Sequence, residues 1–274
     1  MNRRHFLQFA GLASACFALP RALRAQTAAP RVVIVGGGFA GATVAKYLKL
    51  WGGNIDVTLI DRNAAHYACI LSNLVVTGQI PLDRVKLGYS DLQTKRGVHF
   101  HQGEVLEIDP AAREVVAKIG SSTNVFPYDH LVLAPGIEFI APAGDYREDL
   151  TPHAWKAGPQ TLLLKQQLSA MSNRGTFVMN IPKSPYRCPP GPYERACVVA
   201  DYIKRKKSGA RVIVLDANTS IQAEPTTFGR AFNETYRSLL TYVPGAEVSS
   251  VVSSSRTVIR SYVSTAFAGC SSRS

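Results

Sequence analysis

The pattern of apolar and polar residues predicts a strand, a glycine-rich turn, a helix and a second strand near the start of the chain. Residues 31–35 form an apolar run typical of a buried strand, and residues 57–60 form another. Between them, residues 36–41 open a helix that continues from Ala42 to Leu50. The second strand ends at Asp61. This order of elements predicts a parallel α/β unit.

A similar order of elements returns later in the chain. Residues 158–171 carry apolar positions at helical spacing, and residues 176–181 form a strand-like run. A helix is predicted from Tyr193 to Lys207, followed by a strand over residues 211–215 that ends at Asp216. The repetition predicts the α/β class, with two Rossmann-like three-layer units.

Between the two units the pattern changes to shorter strand-like runs. Residues 97–108 and 113–119 predict the strands of a small meander. The apolar strand that follows Tyr128 runs into Ala-Pro-Gly at residues 134–136. This pattern indicates either an ordinary core strand and turn or a backbone segment that passes a cofactor at Gly136.

The spacing of three glycines and one acid in the first unit indicates a dinucleotide-binding turn. Gly36 allows the tight turn, Gly38 lets a pyrophosphate approach the backbone, and Gly41 lets the helix pack close to the strand. Asp61 stands where an acid accepts hydrogen bonds from an adenosine ribose. The alternative is a glycine-rich turn without a ligand, but the acid at this distance favours a bound dinucleotide.

The corresponding turn of the second unit lacks the glycine fingerprint. Residues 187–195 read Arg-Cys-Pro-Pro-Gly-Pro-Tyr-Glu-Arg. Because proline has no N–H, this turn cannot offer the run of backbone donors that binds a pyrophosphate, but it can fix one thiol in place. The following helix and Arg187 or Arg195 would favour the thiolate of Cys188.

The other cysteines and the histidines carry weaker signals. Cys188 could instead be an ordinary turn cysteine or form a structural disulfide with Cys197 or Cys270. Cys69 has no CxxC partner and by itself favours inert packing. His99 and His101 share one face of a strand, but with no third ligand apparent the sequence predicts no metal site.

Composition and the N-terminus bear on location and partners. The formal net charge of the 274 residues is +12, but basic and aromatic residues do not alternate, so a solvated basic surface is favoured over nucleic-acid binding. Arg3 and Arg4 precede a short, weakly apolar stretch from Phe9 to Leu19. This segment predicts a twin-arginine export signal over residues 1–29, too short for a stable membrane span, and a periplasmic location.

Four stretches of the chain together resemble the flavoprotein subunit of flavocytochrome c sulfide dehydrogenase, of the FAD/NAD-linked reductase superfamily. They are Val-Gly-Gly-Gly-Phe-Ala-Gly at 35–41, Tyr-Ala-Cys-Ile-Leu-Ser-Asn at 67–73, Pro-His-Ala-Trp-Lys-Ala-Gly-Pro-Gln-Thr at 152–161 and Cys-Pro-Pro-Gly-Pro-Tyr-Glu-Arg-Ala at 188–196. The resemblance extends from about Arg31 to about Val248.

The resemblance implies FAD as the cofactor, a c-type cytochrome subunit as partner and sulfide as substrate. The cysteine that matches Cys69 is joined to FAD by a thioether, and the one that matches Cys188 forms a redox disulfide with a cysteine much farther along. Hydrosulfide attacks that disulfide. On this basis Cys188 is the candidate catalytic residue, and the candidate cofactor-binding residues are Gly36, Gly38, Gly41, Asp61, Cys69 and Gly136.

The resemblance also predicts how the chain is divided. After the signal, residues 30–150 would form the FAD-binding domain, and residues 151–248 a second Rossmann-like domain without the nucleotide fingerprint. Residues 249–274 are rich in serine, which favours a disordered or aberrant tail. The family's C-terminal interface domain and distal cysteine would lie beyond this chain, which predicts C-terminal incompleteness.

Two other functions remain open from the sequence. A sulfide:quinone reductase shares the fold and thiol chemistry, but the export signal and the tether candidate Cys69 argue against it. An inactive remnant or cytochrome-binding module is supported by the missing distal cysteine. An NAD(P)H-dependent reductase is disfavoured because the second turn lacks glycines.

Overall fold

A computed structural model of the chain describes residues 28–260, which form two compact units. The first unit contains residues 28–64 and 88–136, and the second contains residues 65–87 and 137–260. The predicted export signal falls almost wholly outside the described residues, as do Cys16 and Cys270.

The described residues contain the following strands and helices, given in chain order. In the first half they are β1 (Arg31–Val35), α1 (Phe39–Trp51), β2 (Asp56–Asp61), β3 (Ala65–Tyr67), α2 (Ser72–Val76), β4 (Lys86–Gly88), α3 (Ser90–Arg96), β5 (His99–Gln102), β6 (Glu104–Asp109), β7 (Glu114–Ile119), β8 (Ser122–Pro127) and β9 (His130–Leu133). The second half has β10 (Gly144–Asp145), α4 (Pro159–Ala170), β11 (Thr176–Ile181), α5 (Pro190–Lys206), β12 (Arg211–Asp216), α6 (Pro225–Arg230), β13 (Leu240–Val243), β14 (Val248–Val252) and β15 (Thr257–Arg260). None of the helices within residues 28–260 has the length and hydropathy needed to cross a bilayer.

The first unit has three layers built around a parallel sheet of order β5-β2-β1-β9. Successive side chains of a strand point to opposite faces, so β1 contributes to two cores. Val32 and Ile34 pack in a cluster with Ala45 of α1, while Val33 packs in a cluster with Val115 of the β6-β7-β8 meander. Helix, sheet and meander therefore form the three predicted layers.

The second unit repeats the strand, helix and strand in a parallel sheet of order β11-β12-β13. Its core combines Ile203 of α5, Leu164 of α4 and Val212 of β12, all of which are buried. A small sheet of order β10-β14-β15 belongs to the same unit. The predicted α/β class with Rossmann-like units is therefore confirmed.

Two boundaries of the units differ from the prediction. Residues 65–87 and 137–150 belong to the second unit rather than to a continuous first domain over 30–150. The reason is packing, because Val76 of α2 lies in the core that also contains Leu164 and Tyr193. Hydrophobic periodicity reports that a residue is buried, but not which core buries it.

The meander was also predicted imprecisely. Residues 99–102 form β5, which pairs with β2 in the parallel sheet, and the meander consists of β6, β7 and β8. The prediction missed β8, whose residues Ser122 to Val125 are exposed. An edge strand of this kind has no alternating apolar pattern that a sequence can display.

The prediction of disorder was wrong for residues 249–260. β14 and β15 pair antiparallel, and Ser253 between them is buried. Ser253 Oγ accepts a hydrogen bond from the backbone N–H of Arg147 at 2.9 Å, and Asp145 Oδ1 accepts one from the N–H of Ser253 at 2.6 Å. Serines in this segment form hydrogen bonds with other residues of the chain instead of with water. Amino-acid composition does not reveal this difference. Residues 261–274 lie outside the described residues.

We expect Ile203→Ala to lower the free energy of unfolding by about 2–5 kcal/mol, because Ile203 is fully buried in the second core. Lys204→Ala, one residue along on the exposed face of α5, should change it by no more than about 0.5 kcal/mol. Urea denaturation followed by circular dichroism measures both. Equal losses of unfolding free energy in the two variants would contradict the burial of Ile203 in this core.

Candidate functional site

The glycine turn of the first unit is too crowded for side chains. A Cβ on Gly36 would lie 2.1 Å from the carbonyl oxygen of Ala134, and one on Gly41 would lie 1.8 Å from the carbonyl oxygen of Gly36. Gly36 also has a φ of +99°, which glycine adopts without strain. The turn therefore approaches the Ala-Pro-Gly segment, in which Gly136 has a φ of +88°. The structure brings together these residues that the sequence proposed for the cofactor.

The N-terminus of α1 has the properties of an anion site. Gly38 is its N-cap, no side chain caps the helix, and its first turn contains no acid. The first N–H groups of a helix have no partner within it, and the helix dipole adds positive potential there. A pyrophosphate fits this arrangement of small residues and helix start, as in other dinucleotide-binding turns.

Asp61, at the end of β2, supports the glycine turn from one side. Asp61 Oδ2 accepts a hydrogen bond from the backbone N–H of Gly37 at 2.7 Å, and Asp61 Oδ1 accepts one from the N–H of Asn63 at 2.7 Å. Asp61 is only partly buried, so its carboxylate retains capacity for a ribose hydroxyl. The structure thus places the acid beside the glycine turn.

Tyr89 fixes the other side of Gly37, and sequence reasoning missed it. Its hydroxyl donates to the carbonyl oxygen of Gly37 at 3.1 Å, and a Cβ on Gly37 would lie 2.5 Å from that hydroxyl oxygen. Burial raises the pKa of Tyr89, and the charge of Asp61 raises it further, so the phenol remains a donor. Because Tyr89 lies 52 positions from Gly37, no local motif could have identified it.

The equivalent acid of the second unit, Asp216, is fully buried and engaged by the protein itself. Asp216 Oδ2 accepts hydrogen bonds from the hydroxyls of Tyr193 at 2.7 Å and Tyr242 at 2.9 Å. Asp216 Oδ1 accepts from the backbone N–H and the side-chain Nδ2 of Asn218, at 2.9 and 2.7 Å. Four donors leave this carboxylate no capacity for a ribose.

The two acids share a local motif and differ in their wider surroundings. Each is followed two residues later by an asparagine, Asn63 or Asn218, whose N–H and Nδ2 both donate to it. The other carboxylate oxygen, Oδ2, accepts a hydrogen bond from a backbone N–H in the first unit and from two tyrosine hydroxyls in the second. The second unit therefore keeps the scaffold but lacks both nucleotide-binding features, the glycine turn and an accessible acid.

An exposed thiol stands in the eight-residue loop between β11 and α5, where the first unit has its glycine turn. Cys188 has a φ of +59°, a left-handed conformation that is unusual for a residue with a Cβ. Its carbonyl oxygen accepts the N–H of Gly191 in the first turn of α5 at 3.0 Å. The predicted rigid presentation of the thiol agrees with this geometry; its catalytic role stays a prediction.

Among residues 28–260, Arg195 forms no ion pair with an acid. Its Nε donates to Asn73 Oδ1 at 2.8 Å, its Nη1 to the carbonyl oxygen of His153 at 2.6 Å, and its Nη2 to that of Ala154 at 2.9 Å. These bonds link α5, α2 and the segment before Trp155, all within the second unit. Asn73 and Trp155 are site residues that the sequence did not identify as such.

Cys69 is also exposed and lies in the turn that leads from β3 into α2. Its carbonyl oxygen accepts the N–H of Ser72, and Asn73 follows directly. The segments of Cys69 and Cys188 are therefore joined through the hydrogen bond between Asn73 and Arg195. Cys197 is different, because burial raises its pKa to about 11, with a further contribution from Glu194. It is a packing thiol, as its position in the helix predicted.

The histidine pair on β5 has ordinary surroundings. His99 Nε2 lies 3.3 Å from Asp56 Oδ1, and the His101 ring packs against Phe126. Burial lowers the pKa of His101, with a smaller effect of His99. Within residues 28–260, no three His, Cys, Asp or Glu side chains converge as metal ligands.

Two family models match this chain in succession. The model described as "Pyridine nucleotide-disulphide oxidoreductase" matches residues 30–164, and the model described as "Sulfide dehydrogenase [flavocytochrome c] flavoprotein chain, central" matches residues 161–269. The second match extends beyond Val248, where the resemblance in the sequence had been placed.

Individual relatives agree with these models. The sulfide dehydrogenase [flavocytochrome c] flavoprotein chain of Chlorobaculum thiosulfatiphilum is 51% identical over 45 residues, which are 16% of this chain and 94% of that one. A type II NADH:quinone oxidoreductase of Mycobacterium tuberculosis is 37% identical over 109 residues, 39% of this chain and 23% of that protein.

Among solved structures, the sulfide:quinone oxidoreductase of Aquifex aeolicus superposes with a TM-score of 0.66 at 17% identity, over 85% of this chain and 56% of that one. This likeness concerns the fold. The chain thus spans about half the length of that structure and about a quarter of the mycobacterial relative.

We expect Gly41→Ala to reduce bound flavin, because its Cβ would meet the Gly36 carbonyl and displace the turn. Overpacking of this kind costs about 1–3 kcal/mol, equivalent to about 5-fold to about 150-fold weaker binding. Gly88→Ala is the matched control, since a Cβ there meets nothing within 4 Å. The ratio of visible to ultraviolet absorbance of the purified proteins measures flavin content. Full flavin content in Gly41→Ala would contradict the assignment.

The two acids should respond differently to the same substitution. Asp216→Asn should cost about 1–3 kcal/mol of stability, because the buried carboxylate accepts from four donors and an amide nitrogen would leave some of those donors unpaired. Asp61→Asn should instead weaken flavin binding with a smaller loss of stability, since Asp61 is only partly buried. Denaturation and flavin content, measured on both variants, test this contrast. A loss of flavin in a folded Asp216→Asn protein would argue against a purely structural role for that acid.

Proposed function

Because this chain belongs to the family of flavocytochrome c sulfide dehydrogenase flavoprotein chains, we propose that it is a flavin-dependent oxidoreductase that oxidises hydrosulfide at Cys188. The observation that carries the proposal is the second unit, where an exposed thiol stands in the loop that would otherwise bind a nucleotide. The acid of that unit, Asp216, has its hydrogen-bonding capacity taken by tyrosines and an asparagine. Reduction by NAD(P)H is therefore disfavoured and reduction by a sulfur nucleophile is favoured.

FAD is the cofactor that the first unit fits. The glycines have no side chains that would keep a pyrophosphate from the backbone, the start of α1 offers N–H groups to it, and Asp61 is available to a ribose. When bound, FAD supplies a two-electron acceptor that can release electrons singly. Gly36, Gly38, Gly41, Asp61 and Gly136 would hold it.

Cys69 is proposed to join FAD through a thioether. It is an exposed, free thiol, whereas Cys197 is half-buried and has a raised pKa. A thiol that forms a covalent bond must reach its partner as thiolate, which an accessible position favours.

Cys188 is proposed to form a redox disulfide with a cysteine farther along the protein, as the family resemblance implies. Hydrosulfide then attacks one sulfur of that disulfide, a new S–S bond forms, and the other cysteine leaves as thiolate. The fixed backbone of Cys188 would hold its sulfur on the exposed side of the loop, where a small anion has access.

The further parts of the proposal concern electron transfer and location. A c-type cytochrome subunit would accept the electrons, and the protein would act in the periplasm after export by the twin-arginine route. The name of the Chlorobaculum relative supports the cytochrome, and the paired arginines of residues 3–4 support the route.

We expect Cys69→Ser to release its flavin on acid precipitation, whereas the unsubstituted protein should keep yellow colour in the pellet. Cys188→Ser should retain bound flavin but lose bleaching by sulfide, at least about a hundredfold in rate, because the reacting sulfur is gone. Cys197→Ser is the matched control and should change neither property. Absorbance under anaerobic conditions measures both.

The identity of the electron acceptor distinguishes the proposed function from that of a sulfide:quinone or an NADH-dependent oxidoreductase. Oxidised c-type cytochrome should be reduced in the presence of sulfide, and a soluble quinone should be a poor substitute. Ready oxidation of NADH, or sulfide bleaching that survives in Cys188→Ser, would count against the proposal.

A further inference from the structure

Arg195 carries a positive charge into the interior of the second unit, where the residue is only 2% exposed. Its three hydrogen-bond acceptors, Asn73 Oδ1 and the carbonyl oxygens of His153 and Ala154, are all neutral. Burial lowers the pKa of the guanidinium to about 9, against an opposing effect of Glu194, so the cation persists at neutral pH. A desolvated charge without a bonded counter-ion is costly, which calls for a function that uses it.

The backbone around this cation is strained at three points. Leu71, Ala154 and Cys188 have φ values of +66°, +51° and +59°, in the left-handed region. Residues with a Cβ hold such conformations only where their surroundings impose them, and these cluster at functional sites. Arg195 bonds Ala154 directly and reaches the Leu71 turn through Asn73. The buried charge and the strain thus belong to one constructed site.

The Trp155 ring packs against the cation and lies near the thiol. The Arg195 Cζ lies 3.3 Å from the centroid of the Trp155 ring. The point where a Cβ of Gly191 would stand is 3.6 Å from Trp155 Cζ3 and 3.2 Å from Cys188 Sγ. Gly191 and Arg195 share one face of α5, and helical side chains lean toward the N-terminus, here toward Cys188. An indole of low polarity therefore connects the cation with the surroundings of the sulfur.

The neighbouring histidine adds no competing cation. Burial lowers the pKa of His153, the nearby Glu148 carboxylate opposes this, and the Arg195 charge lowers it further. The lowered pKa therefore favours the neutral form of His153.

We propose that Arg195 is the specificity-determining charge of the thiol site, and that it makes Cys188 prefer small anionic reactants over neutral or cationic ones. Part of its field passes through the packed Trp155 ring and Gly191 rather than through water, so it acts on the sulfur with less screening than the charge of an exposed side chain. The inference rests on the proposed function only for the identity of the anion, hydrosulfide.

Two methanethiosulfonate reagents of similar size and opposite charge test this charge preference. The thiolate attacks the sulfenyl sulfur of either reagent, an S–S bond forms and methanesulfinate leaves. The measured quantity is the rate at which the sulfonatoethyl reagent modifies Cys188, divided by the rate for the trimethylammonioethyl reagent. We expect this rate ratio to be about fivefold lower in Arg195→Gln than in the unsubstituted protein. Rates are measured on the reduced protein by mass spectrometry of the Cys188 peptide.

Two variants with the same loss of charge are controls. Arg205→Gln, on the same helix but exposed and paired with Asp201, should leave the ratio unchanged. Arg187→Gln removes an exposed charge next to Cys188, and its effect should vanish at about 0.5 M salt, whereas the effect of Arg195→Gln should persist. A folded Arg195→Gln protein with an unchanged ratio would overturn the proposal.

A second measurement applies if Arg195→Gln does not fold. A synthetic peptide of residues 184–192 retains Arg187 but lacks Arg195 and the fold. At about 0.5 M salt, the rate ratio of the anionic to the cationic reagent should be higher at Cys188 of the native protein than at Cys188 of this peptide. Equal ratios would overturn the proposal. Neither measurement needs flavin or turnover, so failure of sulfide oxidation and failure of this inference remain distinguishable.

Discussion

A buried or half-buried carboxylate must find hydrogen-bond donors, and in this chain the source of those donors separates the two units. Asp61 and Asp216 both end the second strand of a parallel sheet, and both receive two donors from an asparagine two residues later. The first acid then supports the glycine turn through Gly37 and stays partly exposed. The second acid accepts hydrogen bonds from two tyrosine hydroxyls and is fully buried. One scaffold thus gives one unit with the features of a nucleotide site and one unit that lacks them.

The second unit has an exposed thiol in the loop that corresponds to the glycine turn of the first unit. The loop between β11 and α5 is free of the backbone geometry that a pyrophosphate requires, and it presents Cys188 in a strained conformation instead. Tyr193, which seals Asp216, lies on the same helix as Arg195, which gathers the segments of Cys69 and Trp155. The first turns of α5 therefore carry both the tyrosine that bonds Asp216 and the arginine that links the neighbouring segments.

Prediction from the sequence succeeded where a local pattern carries the information. The strands around Gly36 and Gly41, the helix at 158–171 and the strand ending in Asp216 all follow from periodicity and turn chemistry. It failed for the exposed edge strand β8 and for residues 249–260, whose serines bond to Asp145 and Arg147. Residues 249–260 are stabilised by partners about a hundred residues away, which no window along the chain contains. β8 pairs with the neighbouring β7, but its mostly exposed residues show no alternating apolar pattern.

The sequence by itself determined the α/β class, the dinucleotide turn with its acid, and the position of a thiol among prolines, because each depends on residues close together in the chain. The tertiary structure alone decided that residues 65–87 pack with the second unit, that Tyr89 fixes Gly37, and that Asp216 is closed by Tyr193 and Tyr242. It also placed Arg195 behind Trp155, linking α2 to α5. Burial and hydrogen-bond satisfaction are properties of the whole packed chain, so they become visible only when distant residues meet.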